Sequence, residues 1–358
     1  MTYLTVIILI FSVLGALDRI FGNRLGVGKE FEKAFMLLGT MALSMIGMIV
    51  ISPLIADIMK PVSALLSDIL HIDPSIIPAS LFANDMGGAS LAAEMAVNEK
   101  TGLFNALVVS SMMGCTISFT IPFALGVVKK EQHKELLLGL LCGIVTIPIG
   151  CIISGIICKI SFGALLINLL PLVIFSALIA FGLVRFPKLC IKIFKVFGAF
   201  ITVIITIGLS LGVIRFLTGF EVIKGLATLE EGASICVNAA VVLSGSFPFM
   251  YVLSKVLSKP LKAVGTKAGV NEHSVIGIIS GLASSATTFG MMDKMDKKGV
   301  VLNSAFSVSG AFILGSHLAF TMAFDSSYVF SVIAGKLTSG VLALILANII
   351  SKKTSNQL

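Results

Sequence analysis

Four ionisable side chains stand out inside apolar stretches of this sequence, where such groups are costly and are usually functional. They are Asp85, Glu94, Asp293 and His317. A carboxylate at Asp85 is able to pair with a cationic substrate or an ion. Glu94 fits either a solvated helix end or a substrate contact, and Asp293 beside Lys294 is interpreted as a surface ion pair.

Asp85 is the strongest of these candidates because of its neighbours. Asn84 precedes it, and Gly87 and Gly88 follow, where the missing Cβ lets a backbone or ligand approach closely. The simpler alternative is that Asp85 caps the helix that follows it, and the two roles are compatible. We predict that Asn84, Asp85, Gly87 and Gly88 contribute to substrate binding.

A second group of polar residues offers hydroxyls and an imidazole but no fixed charge. Ser284, Ser285 and Thr287 suit the uncharged polar end of a substrate, or surround a Na⁺ held by backbone carbonyls. Such hydroxyls also occur as ordinary packing residues in membrane helices. Ser316 and His317 are added to the predicted site, where the histidine is a substrate contact, a protonation switch or a packed, hydrogen-bonded side chain.

The composition indicates that these residues are carried by a membrane protein. Of 358 residues, 57% are apolar and only 12% are charged, against roughly 25% charged in soluble proteins. The net charge of +8 arises from short basic clusters between apolar runs, which favours membrane topology over nucleic-acid binding. No metalloprotease, nucleophile-elbow or phosphate-loop motif is found, so we predict no enzyme activity, no cofactor and no metal site.

An all-α, polytopic fold follows from the apolar runs, each about 20 residues long. Nine such runs are predicted to span the membrane, and two further segments, 75–97 and 274–295, are apolar but interrupted by polar and glycine residues. The nine predicted spans are 2–20, 35–57, 103–127, 135–158, 162–184, 196–218, 234–255, 300–324 and 328–350.

The basic residues predict how these segments cross the bilayer. Most Lys and Arg residues fall in six clusters, at 18–33, 129–134, 185–195, 255–267, 294–298 and 352–353. The positive-inside rule assigns all six to the cytoplasm, with the N-terminus outside and the C-terminus inside. Segments 75–97 and 274–295 must then enter and leave on opposite faces as re-entrant hairpins. The first apolar run is predicted to be a retained span, since no Lys or Arg precedes it as in a signal peptide.

The two halves of the chain resemble each other, which predicts an inverted repeat. Lys60-Pro61 and Lys259-Pro260 precede the two hairpins, and Asn105 and Asn303 begin the spans that follow them. We therefore divide the chain into four parts: a first repeat at 1–160, a linking span and cytoplasmic loop at 161–195, an inverted repeat at 196–350 and a cytoplasmic tail at 351–358. Inverted repeats with broken helices are a recurrent plan of secondary transporters.

Several short motifs make the sequence resemble the ethanolamine utilisation transporter family, from about residue 16 to 345. They are Asp85-Met86-Gly87-Gly88 with Glu94, Ser111-Met112-Met113-Gly114, 143–151, Phe289-Gly290-Met291-Met292 with Met295-Asp296, and Gly315-Ser316-His317-Leu318. The family often has Asp where this chain has Ser316, and asparagines where it has Ser284-Ser285. Both departures concern which amine the site holds.

The resemblance implies a facilitator for ethanolamine, or a closely similar amine, in the bacterial inner membrane. It also implies a functional link to a cytoplasmic ethanolamine ammonia-lyase, often enclosed in a microcompartment. Ethanolamine is mostly protonated at neutral pH, and Asp85 is then the expected acceptor of its ammonium group. Two alternatives stay open: a Na⁺- or H⁺-coupled transporter of another small solute such as an amino acid, and a membrane receptor or assembly subunit that binds ethanolamine without moving it. Assembly into a homo-oligomer also stays open.

Overall fold

The computed structural model describes residues 3–355, and at 257–259, 261–264, 266–268 and 352–355 it describes the backbone alone. Positions 356–358 of the predicted tail, and the side chain of Lys259, lie outside this description. The described chain contains helices and no strand, which confirms the all-α prediction. The α-helices are α1 (Tyr3–Ile20), α2 (Val27–Met36), α3 (Leu38–Ile58), α4 (Lys60–Ala64), α5 (Ile76–Leu81), α6 (Gly88–Met95), α7 (Glu99–Phe104), α8 (Ile121–Val127), α9 (His133–Ile157), α10 (Phe162–Arg185), α11 (Pro187–Thr218), α12 (Leu229–Ala268), α13 (Glu272–Ala283), α14 (Ser285–Gly290), α15 (Lys297–Ser309), α16 (Ser316–Asp325) and α17 (Val329–Ser355).

Eight helical runs of the described chain are long and apolar enough to cross a bilayer. The polytopic prediction is therefore confirmed, although with eight such runs rather than nine spans. The last run joins α16 to α17 across Asp325, whose backbone is extended. The eight runs are Tyr3–Ile20, Val27–Ile58, Glu99–Val127, Lys130–Ile157, Phe162–Arg185, Pro187–Thr218, Leu229–Val256 and Ser316–Ser351.

The predicted span 300–324 is wrong as a continuous helix. The helix stops after α15 and resumes at α16, with a non-helical stretch between them. Two N–H groups of this break, those of Phe312 and Leu314, donate to the carbonyls of Gly281 and Leu282 at 3.0 and 2.9 Å. The backbone groups released by the break are therefore satisfied by α13, as buried backbone at membrane depth requires.

The two interrupted apolar segments are also broken in the structure. Between α5 and α6 the chain is extended at Phe82 and Ala83, makes one 3₁₀ turn and turns left-handed at Gly87 (φ +85°). A Cβ at this glycine would lie 1.9 Å from Cγ of Met48 in α3, so any larger residue would be strained and would force Met48 to move. Between α13 and α14 the break is the single extended residue Ser284.

The run from α7 to α8 packs against both broken segments, with α5 and α6 against its middle and α14 against α8. Its middle, Asn105–Gly114, is π-helical and fully buried. A Cβ at Gly114 would lie 1.9 Å from the carbonyl oxygen of Phe82, so the tip between α5 and α6 rests directly on this run. Extended π-helical geometry is rare and occurs frequently at functional sites.

Asparagines hold each broken segment to the run that follows it. The side-chain amide of Asn105 donates to the Ser75 hydroxyl at 2.8 Å, and that of Asn303 donates to the Ser274 carbonyl at 2.8 Å. Both contacts lie at the N-terminal side of the broken segment. One asparagine in each half of the chain therefore ties a broken segment to the following run.

Small residues let the spanning helices approach closely. A Cβ at Gly47 of α3 would lie 2.0 Å from the Ile205 carbonyl oxygen, and one at Gly208 of α11 would lie 2.0 Å from the Gly47 carbonyl oxygen. The hydroxyl of Thr146 in α9 donates to the Ser339 carbonyl in α17 at 3.1 Å. Close backbone contact and interhelical hydrogen bonds are what holds helices together in lipid, where apolar burial no longer drives association.

Candidate functional site

A cavity of about 310 Å³ opens where the broken segments meet. Its wall combines the α2–α3 junction, the tip between α5 and α6, the run from α7 to α8, helix α12 and the breaks before α14 and α16. Residues of both halves of the chain therefore line one space. The lining residues are Leu37, Thr40, Met41, Ser44, Asp85, Met86, Cys115, Phe119, Leu243, Phe247, Ala283, Ser284, Phe312, Ser316 and His317.

Asp85 is the one charged side chain among these lining residues, and its side chain is 17% exposed. The hydroxyl of Ser316, the first residue of α16, donates a hydrogen bond to its carboxylate. The N-terminus of a helix favours negative charge close to it. The carboxylate is therefore held between the first tip and the start of α16, with one side left open to the cavity.

His317 lies behind Asp85 and is almost completely buried. Its Nε2 is 3.8 Å from Oδ1 of Asp85, which is longer than a direct hydrogen bond. The opposite ring nitrogen, Nδ1, is 3.1 Å from Nζ of Lys336. The ring also packs against Phe312, with the two centroids 4.9 Å apart.

Lys336 in α17 is a functional candidate that sequence reasoning missed. Its side chain is 1% exposed, and Nζ donates to the Ser111 carbonyl at 2.7 Å as well as to His317. Over the described residues, no carboxylate lies within ion-pair distance of this ammonium. The signal was present in the sequence: a lysine stands in the middle of the apolar run 328–350, and intramembrane lysines are rarely structural.

The contacts form one chain from Lys336 through His317 to Asp85. An ammonium group only donates hydrogen bonds, so Nδ1 of His317 is the acceptor. The neutral ring then carries its proton on Nε2, which points toward Asp85. A buried lysine is thereby connected to the cavity through one imidazole.

Of two other predicted residues, one lines the cavity and one packs beneath the tip that carries Asp85. Ser284, the extended residue before α14, lines the cavity together with Ser316. Gly88 lies under the tip, where a Cβ would be 2.2 Å from the Phe82 carbonyl oxygen. Like Gly87, it lets the tip fold close to its neighbours and so fixes the position of Asp85, but it does not line the space itself.

Asn84 and Ser285 stand beside the cavity and not in its lining. Both are fully buried, and neither the side-chain amide of Asn84 nor the hydroxyl of Ser285 has a hydrogen-bond partner among the described residues. Unpaired buried polar atoms are uncommon in proteins. Each of the two broken segments therefore places one such residue at its tip.

Glu94 and Thr287 are not brought to this site. Both side chains are exposed and neither lines the cavity. Asp293 forms the predicted surface ion pair, but its partner is Lys129 at 3.5 Å and not the adjacent Lys294.

No cluster of three His, Cys, Asp or Glu side chains that could hold a metal ion is found within the described chain. All six cysteines are free, and four of them are buried. The cavity therefore offers one carboxylate, several hydroxyls and an apolar wall. This set is suited to binding a small cation with a polar, uncharged end.

The family model described as "Ethanolamine utilisation protein, EutH" matches residues 1–350. The chain therefore belongs to the EutH family. Among curated relatives it is 43% identical to a "Probable ethanolamine permease EutH" of Listeria monocytogenes, over 94% of this chain and 91% of that protein. It is 37% identical to the protein of the same name in Salmonella typhimurium, over 94% and 92% of the two chains. No solved structure matches it.

A second kind of relative carries no functional name. The EutH-family chain is 38% identical to the "Uncharacterized protein YxeR" of Bacillus subtilis, over 93% of this chain and 90% of that one. Membership of the family and the eight apolar runs together make this chain a multi-pass membrane protein.

Proposed function

We propose that this EutH-family chain is a permease that moves ethanolamine, or a closely similar small amine, across the bacterial inner membrane. The observation that carries the proposal is the single carboxylate of Asp85 in an otherwise uncharged cavity between the two halves of the chain. Relatives named as probable ethanolamine permeases support it. The proposed function is transport of the amine without any chemical conversion of it.

The protonated amine binds with its ammonium group on Asp85. A charge-assisted hydrogen bond to a partly buried carboxylate is stronger than one between neutral groups. The hydroxyl end of the substrate is then directed to Ser284, which lies next to the start of α16, since a Cβ at Gly315 would be 2.0 Å from the Ala283 carbonyl oxygen. Phe119, Phe247 and Met41 supply the apolar wall that excludes water around the pair.

Charge argues against an amino acid as the substrate. The carboxylate of an amino acid would need a positive partner, and no Lys or Arg belongs to the lining of the cavity. Lys336 does not line the space either, and its ammonium group contacts His317, which does. An amine without a carboxylate satisfies the site, whereas a zwitterion leaves a buried charge without a partner, which is costly.

The re-entrant hairpins and the inverted repeat are part of the same proposal. The matching contacts of Asn105 and Asn303, and the chain breaks at both tips, support a repeat whose halves meet at the cavity. Secondary transporters of this plan bind their substrates at the repeat interface. An extracellular N-terminus, a cytoplasmic C-terminus, a homo-oligomer and the link to a cytoplasmic ammonia-lyase stay predictions.

A Na⁺-coupled transporter is the second candidate, and one observation favours it. Asn84 and Ser285 place buried oxygen atoms without partners at the two tips, and hard cations prefer oxygen ligands. Uptake that requires a Na⁺ gradient would favour this candidate over the simple facilitator.

The experiment that tests the proposal replaces Asp85 by Asn in purified protein reconstituted into liposomes. Removing one partner of a partly buried charge pair costs about 2–5 kcal/mol, so the initial uptake of labelled ethanolamine should fall to the level of protein-free liposomes. The matched control is Asp68→Asn, because Asp68 is exposed and lies outside the cavity lining. Near-normal uptake by the Asp85→Asn protein would discard the binding mode.

A further inference from the structure

We propose that Lys336 holds a proton that the protein exchanges for the substrate cation, so that one proton leaves for each ammonium ion that enters. The inference rests on the proposed function and extends it to the ion that is moved in return. It makes the transport electrically neutral, although the substrate itself is charged.

The first support is the position of Lys336. Its ammonium group is buried in the molecule, one imidazole ring away from the cavity, and its hydrogen bonds go to a carbonyl and to a neutral histidine. A buried cation that is not directly paired with a carboxylate is costly to maintain. Lysine, unlike arginine, relieves this cost by releasing a proton.

The second support is the charge of the occupied site. With Asp85 ionised and Lys336 protonated, the empty site has no net charge. A bound ammonium ion adds one positive charge in surroundings where water is scarce, and a net charge there is strongly disfavoured. Loss of the proton from Lys336 returns the occupied site to neutrality. The titratable groups facing Lys336 from other elements are Asp85, His317 and the thiols of Cys115 and Cys151.

The proton has a path along the contacts described above. The Nζ–H bond of Lys336 breaks and an Nδ1–H bond forms on His317, 3.1 Å away. The Nε2–H bond of the same ring breaks, and its proton passes to a water molecule that enters the cavity. Lys336 becomes a neutral amine, and His317 stays neutral in its other tautomer. When the substrate has left on the far side, a proton from that side reverses both steps.

The consequence is that the site carries no net charge when it changes its exposure from one side of the membrane to the other, whether loaded or empty. The loaded form carries Asp85, the ammonium ion and a neutral Lys336, and the returning form carries Asp85 and a protonated Lys336. The membrane potential acts only on net charge that moves across the bilayer. The net process equals the movement of one neutral amine, so it responds to a pH gradient and not to the potential.

The test measures ethanolamine uptake and current in proteoliposomes. Valinomycin with an about tenfold potassium gradient, inside high, sets an inside-negative potential that would accumulate a singly charged substrate up to about tenfold. Wild-type protein is expected to show the same initial uptake with and without this potential, and no substrate-dependent current. An acidic interior should raise its accumulation. Protein-free liposomes correct for passage of neutral amine through the lipid.

Lys336→Met is expected to convert the exchange into movement of the cation alone. Whatever uptake this variant retains should carry one positive charge per substrate and rise with the inside-negative potential. Lys336→Gln, which keeps a donor for the Ser111 carbonyl, replaces it if the Met protein does not fold. Lys224→Met is the matched control, because Lys224 is exposed and lies outside the cavity lining; it should behave like wild type.

The outcomes separate this inference from the proposed function. Counterflow of labelled ethanolamine requires no net charge movement, so its absence in the wild type would overturn both. Counterflow together with a substrate-dependent current in the wild type would overturn the exchange and leave the permease standing. A neutral, potential-independent uptake that persists in the Lys336 variants would overturn the assignment to Lys336.

Discussion

At the scale of residues, the proposed binding mode depends on two groups that line the cavity from different breaks in the chain. Asp85 comes from the first tip and Ser284 from the second. In this proposal the carboxylate binds the ammonium group, whereas the serine hydroxyl distinguishes ethanolamine from an amine of similar size without a hydroxyl. The two contributions are therefore measurable separately.

Ser284→Ala should reduce the preference for ethanolamine over ethylamine, because it removes the partner of the substrate hydroxyl. A hydrogen bond of this kind contributes about 0.5–1.5 kcal/mol, which is about a two- to tenfold change in the ratio of half-saturating concentrations. Competition of the two amines against labelled ethanolamine uptake gives this ratio. Thr287→Ala is the control, since Thr287 is exposed outside the cavity. An unchanged ratio in the Ser284 variant would show that the hydroxyl is held elsewhere.

The sequence predicted some residues of the cavity and missed another for identifiable reasons. Asp85 was found because a carboxylate between apolar runs and before two glycines is unusual. Lys336 was missed because a single basic residue within a long apolar run changes its mean hydropathy little. Only the structure reveals that it reaches His317, because α16 and α17 must first be packed together.

At the scale of elements, the breaks in helices decide the shape of the site. Long apolar runs predicted the spanning helices well, because about 20 such residues suffice to cross the bilayer. The interruption between α15 and α16 was not predicted, since the residues Gly310–Gly315 are themselves small or apolar. It is set by tertiary hydrogen bonds to α13 and by the hydroxyl of Ser246 in α12, which donates to the Leu314 carbonyl.

The proposed hairpins face opposite sides of the membrane, which labelling of single cysteines tests. Lys60→Cys should react with an impermeant maleimide from outside intact cells, and His273→Cys only after the cytoplasmic side is opened. Both native side chains are exposed. Cys158 and Cys190, the two half-buried native thiols, are replaced by Ser in both proteins and in the control. Reaction of both positions from the same side would contradict the inverted repeat.

At the scale of the whole molecule, the cavity is the place where the two halves of the chain meet. The residues before position 120 supply Asp85 and Phe119, and the residues after 240 supply Phe247, Ser284 and His317. Neither half contains a complete site. In the proposed transporter, a relative movement of the halves opens and closes the site, as in transporters with repeated halves that expose a binding site to one side at a time.

The central claim is that this cavity carries a small hydroxylated amine across the membrane. The most direct measurement is counterflow of labelled ethanolamine into proteoliposomes preloaded with one unlabelled compound at a time. The account predicts transient accumulation of label when the liposomes contain ethanolamine or a similar small amine, and none when they contain an amino acid or an uncharged diol. Accumulation driven by an amino acid, or no accumulation with ethanolamine inside, would contradict it.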